Sequence, residues 1–81
     1  MSTVTVQLFA SYADMLGGAK VDIPLSSGST VRDLVNSLRS LPGAAALPAS
    51  VLVAVNRKLA GRDQRIEPAD EIALIPPMAG G

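Results

Sequence analysis

The residues with the strongest claim on chemistry stand together at the end of the chain: Pro76-Pro77-Met78-Ala79-Gly80-Gly81, directly after the apolar residue Ile75. Proline fixes φ and lacks an amide proton, so Pro76 and Pro77 stop a strand from pairing further and launch an extended arm. Six residues reach at most roughly 20 Å, enough to enter a pocket in another protein. Gly80 and Gly81 carry no side chain and pass through a slot too narrow for a Cβ, which delivers an α-carboxylate unobstructed. That carboxylate is ionised at neutral pH and a poor electrophile, so it reacts only after activation. Small residues are common at frayed chain ends; the stiff Pro-Pro spacer between strand and diglycine sets this ending apart. Ile75 and Met78 have no core to enter on an arm that leaves the sheet, and a partner pocket suits them.

Few other chemistries survive the composition. The chain has no Cys and no His. Disulfides, thiolate metal sites, imidazole acid–base catalysis and Ser-His-Asp chemistry are therefore excluded, and no metal site is expected. Neither G-x-x-x-x-G-K-[ST] nor G-x-G-x-x-G occurs. Seven basic residues balance seven acidic ones, and the aromatics are one Tyr and one Phe. That pattern lacks both the basic footprint and the stacking platform of a nucleic-acid binder. Arg57, Lys58, Arg62 and Arg65 form the one local basic concentration, interrupted by Asp63 and Glu67; such charges most simply solvate a surface. No apolar run approaches the roughly 20 residues of a membrane span, and the first residues lack a signal-peptide pattern. A cytoplasmic location is expected.

The elements that must position the arm are legible along the 81 residues, which suffice for one domain. Thr3 to Phe9 alternates with Val4, Val6 and Leu8 on one face, a half-buried strand. Ala10 to Leu16 reads as a short helical turn ended by Gly17-Gly18. A second strand places Ala19, Val21 and Ile23 inward and Lys20 and Asp22 outward, antiparallel to the first. Pro24 to Ser29 reads as a loop. Thr30 N-caps the clearest helix by accepting from the amide of Asp33. Val31, Leu34, Val35, Leu38 and Leu41 form its apolar stripe, with Arg32, Asn36, Ser37 and Arg39 opposite, and Pro42-Gly43 ends it. Ala44 to Pro48 is a loosely specified connection. Val51 to Val55 is a strand with apolar residues on both faces, bounded by Asn56. Leu59 to Ile66 holds a turn and short edge segment, Pro68-Ala69-Asp70 a turn, and Glu71 to Ile75 the last strand. Val51, Val53, Val55, Leu34 and Leu38 are expected in the core. The order gives an α+β domain over residues 1–75, a mixed four- to five-stranded sheet with one main helix on one face, and a tail over 76–81.

This ending and strand order resemble the small, sulfur-carrying subunits of molybdopterin synthase, within the MoaD/ThiS-like, ubiquitin-like β-grasp proteins. The resemblance spans the chain, outside the loop Pro42 to Ser50. It rests on Leu8-Phe9-Ala10 through Leu16-Gly17, Thr30-Val31-Arg32-Asp33-Leu34, Val53-Ala54-Val55-Asn56 and Asp70-Glu71-Ile72-Ala73-Leu74-Ile75-Pro76-Pro77. It implies that an E1-like adenylyltransferase activates the Gly81 carboxylate with ATP and that a sulfur donor enzyme converts the adenylate to a thiocarboxylate. It further implies that the thiocarboxylate gives its sulfur to a cyclic pyranopterin in the large synthase subunit. Gly81 is then the reacting residue, Gly80 and Ala79 the narrow part of the arm, and Pro76, Pro77 and Met78 its guides. The chain itself would bind no cofactor and would not be an enzyme alone. Carriers for thiamine thiazole or cysteine synthesis end similarly, and a non-covalent β-grasp interaction module is the reading of another class.

Overall fold

A computed structural model of the chain describes residues 2–26, 28–48 and 51–76. Its first strand, β1 (Ser2–Gln7), is followed by helix α1 (Ala10–Leu16) and strand β2 (Lys20–Leu25). Helix α2 (Val31–Arg39), a 3-10 turn (Ala44–Ala46), β3 (Leu52–Val55), β4 (Lys58–Leu59) and β5 (Ile72–Ile75) complete the order. The five strands form one sheet in the order β2-β1-β5-β3-β4. β1 and β5 run parallel at its centre, and antiparallel pairs flank them on both sides. This mixed sheet under one main helix is the β-grasp architecture expected from the sequence.

The alternation in β1 does what its period of two requires. Val4 and Val6 are buried while Thr3 and Thr5 are exposed. The ladder stops at Gln7, two residues short of the expected end. Leu8 leaves the strand but stays buried, and its amide donates to the carbonyl of Ala19 at 2.8 Å. Phe9 becomes the N-cap of α1 and is exposed. β2 continues through Pro24 and Leu25, which read as loop in the sequence. Pro24 pairs with Thr3, and β2 is an edge strand, where a missing amide proton costs no inner ladder bond. Leu25 joins the core, whereas Ala19, expected inward, is exposed.

α2 lays Val31, Leu34 and Leu38 on the sheet, against Val4, Val6, Ile23, Val53, Val55, Ile72 and Leu74. Leu34 and Leu38 are fully buried, and each such side chain contributes roughly 1.5–3 kcal/mol. The orphan amides at the helix start are all satisfied. Val31 and Arg32 donate to the carbonyls of Gln64 and Arg62, at 2.9 and 3.0 Å. The Asp33 amide donates to Thr30 Oγ1 at 3.4 Å, and the Thr30 amide returns a bond to Asp33 Oδ2 at 3.0 Å. This reciprocal capping box was half visible in the sequence, through Thr30 and Asp33. Thr30→Ala is expected to lower unfolding free energy by about 1 kcal/mol. A denaturant midpoint that falls at constant m-value checks it, and an unmoved midpoint would show that the cap adds nothing.

α2 ends at Arg39, two residues before the expected Leu41. The Ser40 hydroxyl donates to the Ser37 carbonyl there and Pro42-Gly43 turns the chain. The connection after it is more ordered than its composition suggests. Ala44 and Leu47 are buried in the core cluster. Val51 is half-buried against the core, just before β3 begins. No helix among the described residues is long and apolar enough to cross a membrane.

Candidate functional site

The segment expected to form the arm follows β5, the middle strand of the sheet. β5 lies between β1 and β3, so its hydrogen-bonding edges are both used and its direction is fixed. Its entry is pinned by side chains. Asn56 Nδ2 donates to Asp70 Oδ1 and the Glu71 amide donates to Asn56 Oδ1, both at 3.0 Å. The Asn56 amide meets the Glu71 carbonyl at 2.7 Å, and Asp70 Oδ2 accepts from the Glu67 amide at 2.9 Å. Asp70 thus closes the expected turn, Glu71 stands just before β5 instead of within it, and together they tie β5 to the β3–β4 hairpin. At the far end Ile75 pairs with Leu52, and Pro76 follows. Both Ile75 and Pro76 are half-buried. The other expected site residues, Pro77, Met78, Ala79, Gly80 and Gly81, lie outside the described residues.

Sheet register then assigns a face to every neighbour of that root. Val53 lies opposite Leu74 and Val55 opposite Ile72, all four buried beneath α2. The alternate residues Leu52, Ala54, Ala73 and Ile75 share the outer face, and Leu59 of β4 joins them opposite Ala54. Leu52 is 51% exposed and Leu59 68%. The β1–β2 half of the same face is polar: Thr5 Oγ1 donates to Asp22 Oδ1 at 2.7 Å, and Thr3, Lys20 and Asp22 are exposed. Among the described residues the outer face is therefore apolar only over β5, β3 and β4, the half that leads into Pro76. Sequence reasoning named Ile75 alone. The signal for Leu52 was the strand with apolar residues on both faces; Leu59 carried none, because a two-residue edge strand shows no period.

The basic concentration does not act as one patch. Arg57 sits in the β3–β4 turn and pairs with Glu71 at 3.3 Å, an exposed contact of small energetic value. Arg65 bridges to Thr30 through the backbone. Arg62 lies elsewhere, beside α2, where it lines a groove with Arg32 and Arg39.

With this geometry in place, the comparison with known proteins decides the family: the model described as "ThiS family" matches residues 6–81, from within β1 through the terminal diglycine. The chain belongs to the ThiS family. Among ThiS-like relatives, the molybdopterin synthase sulfur carrier subunit of Dictyostelium discoideum is 36% identical, over 94% of this chain and 93% of that protein. The protein of the same description from Arabidopsis thaliana is 28% identical, over 96% of this chain and 82% of the relative. The crystal structure of SAMP1 from Haloferax volcanii superimposes with a TM-score of 0.84 at 26% identity, covering 99% of this chain and all of that one. The resemblance read from the ending and strand order thus holds at the level of family and fold.

Proposed function

We propose that this protein is the sulfur carrier of a molybdopterin synthase, working as the small, sulfur-donating subunit of a heteromeric enzyme. The observation that carries the reading is the family match, which extends to Gly81, together with relatives named as sulfur carrier subunits at nearly full length. The fold supports it because the strand that precedes Pro76 is central and paired on both sides.

In this account an oxygen of the Gly81 carboxylate attacks the α-phosphorus of ATP on an E1-like partner, and pyrophosphate leaves. A hydrosulfide equivalent from a sulfur donor then attacks the acyl carbonyl. AMP leaves with the bridging oxygen, a proton is released, and a thiocarboxylate remains. The mixed anhydride supplies the electrophile that the ionised carboxylate lacks. The large synthase subunit takes the loaded arm, guided by Pro76, Pro77 and Met78, and the sulfur passes to a cyclic pyranopterin. Gly80 and Ala79 keep the passage narrow. No cofactor stays on the chain; ATP belongs to the activating step. In this account the protein works in the cytoplasm.

The apolar outer face is where the large subunit docks: Leu52, Leu59 and Ile75 surround the root of the arm and leave the polar half of the face in water. Leu52→Glu is expected to weaken binding of the synthase large subunit by at least about 30-fold. Because Leu52 is half exposed, the thermal midpoint should stay within a few degrees of the parent. Titration calorimetry with the purified large subunit checks both halves. Unchanged affinity would place the interface elsewhere, and co-purification with a thiazole synthase or a cysteine synthase instead would transfer the carrier to that pathway.

A further inference from the structure

The groove beside α2 lies on the helix side of the sheet, away from the outer face. Its floor is Val35, Val51 and Ala60, and its rim carries Arg32, Arg39 and Arg62. Three of the chain's seven basic residues therefore line one groove, and none of the eight lining residues is acidic. The walls are fixed. Arg39 Nη2 donates to the Pro48 carbonyl at 2.6 Å, which holds its charge across the groove, and the Arg32 amide bonds the Arg62 carbonyl at 3.0 Å. Two of the rim charges, those of Arg32 and Arg62, are only lightly satisfied. Arg32 meets Asp63 at 3.4 Å, but that carboxylate's side chain is 92% exposed and readily displaced, and Arg62 has no ion pair among the described residues.

The cavity measures about 90 Å³. That is well below the roughly 150 Å³ of a site that takes a benzene ring. A groove of that size accepts a branched aliphatic side chain. An apolar floor of that size under three guanidinium groups combines two demands on one ligand: an aliphatic anchor and flanking carboxylates, which Arg binds in forked pairs. We propose that this groove docks an acidic peptide segment of a partner protein. One aliphatic side chain sits on Val35, Val51 and Ala60, and neighbouring carboxylates pair with Arg32 and Arg62 within the field of Arg39. The site is independent of the chemistry at Gly81. A protein covering the outer face would leave it open, so the chain can hold two partners at once.

The test is a ¹⁵N-NMR titration of the full chain with the peptide acetyl-Glu-Glu-Leu-Glu-Glu-amide. Amide shifts are expected to cluster at Arg32, Val35, Asn36, Val51 and Ala60, and affinity should fall as salt rises. Replacing the peptide's Leu by Gly, its Glu residues by Gln, or Arg62 by Glu should each weaken binding about tenfold. Arg57→Gln, on the hairpin turn, should leave it unchanged. Among the described residues the exposed Arg62 side chain makes no ion pair, so its variant remains a fair test. The proposal is overturned if the peptide produces no saturable shifts. Shifts spread equally over Lys20, Arg57 and Lys58, or binding indifferent to Arg62→Glu, would also overturn it. Inorganic phosphate moving the same amides with the same affinity would reduce the groove to a simple anion site.

Discussion

Removal of Gly81, or its extension by one residue, is expected to abolish sulfur transfer to the pterin and to leave the folded domain unchanged. The core cluster runs from Val4 to Leu74, so the domain is expected to hold its packing without the last residue. The thermal midpoint should therefore match the parent within error. The chemistry should not, because the proposed electrophile is the terminal carbonyl and its approach depends on position. Deletion moves the carboxylate about 3.5 Å back along the arm, and a misplacement of 1 Å at a reacting centre can already cost about 100-fold. Extension buries the Gly81 carbonyl in a peptide bond and presents the wrong carboxylate. A reconstituted synthase assay, with the melting curve beside it, should show loss of at least about 1,000-fold in transfer at constant stability. Appreciable transfer by either variant would remove Gly81 from the reaction.

The second large effect concerns the fold alone. Gly43→Ala should destabilise the domain by about 3 kcal/mol, whereas Gly17→Ala should cost only about 1 kcal/mol. Both glycines have positive φ, 87° and 83°, and so share the backbone penalty for a left-handed residue. They differ in surroundings. A Cβ at Gly17 meets nothing, while at Gly43 it would run into the backbone carbonyl of Met15 at the end of α1. Backbone atoms cannot rotate away as a side chain can, so the 3-10 turn must lift from α1, and Ala44 and Leu47 lose their burial. For a domain of this size the Gly43 variant should melt roughly 15 °C lower. Equal midpoints for the two variants would show that the close approach adds no cost.

Residue pattern revealed most where one period ran long enough to be read. The β1 alternation and the α2 stripe located the two halves of the core, and Thr30 with Asp33 located the helix start. The misses share physical causes. β2 ran on through Pro24 because an edge position tolerates a missing donor, and edge position is a property of the sheet, not of the segment. The β3–β4 hairpin turns on Asn56-Arg57, both at positive φ. Without the usual glycine it gave no clear two-residue turn signal. Ala44 to Pro48 looked loose because small residues advertise no face, yet close packing against α1 is what small residues permit. For the site, Pro76-Pro77 and the diglycine pointed to an arm whose last five residues lie outside the described ones, and Ile75 falls at the end of β5. The apolar surface around that strand end was not legible, since Leu52, Ala54, Ala73, Ile75 and Leu59 meet only through cross-strand register. The same holds for the arginine groove, where α2 and the segment after β4 contribute residues about 30 positions apart.

The central claim is that Gly81 carries sulfur, and one experiment reaches it directly. The purified protein is incubated with ATP, an E1-like enzyme active on a known carrier and a sulfur source, then treated with a thiol-reactive alkylating agent. The chain has no cysteine, so no side-chain thiol competes for the label. Alkylation also separates a thiocarboxylate from oxidation of a methionine, which nearly matches the mass of an oxygen-to-sulfur exchange. The account predicts one alkyl group per chain, mapped by fragmentation to Gly81 and dependent on ATP. An unlabelled chain, under conditions that label the known carrier, would contradict it and leave a β-grasp module that acts by binding alone.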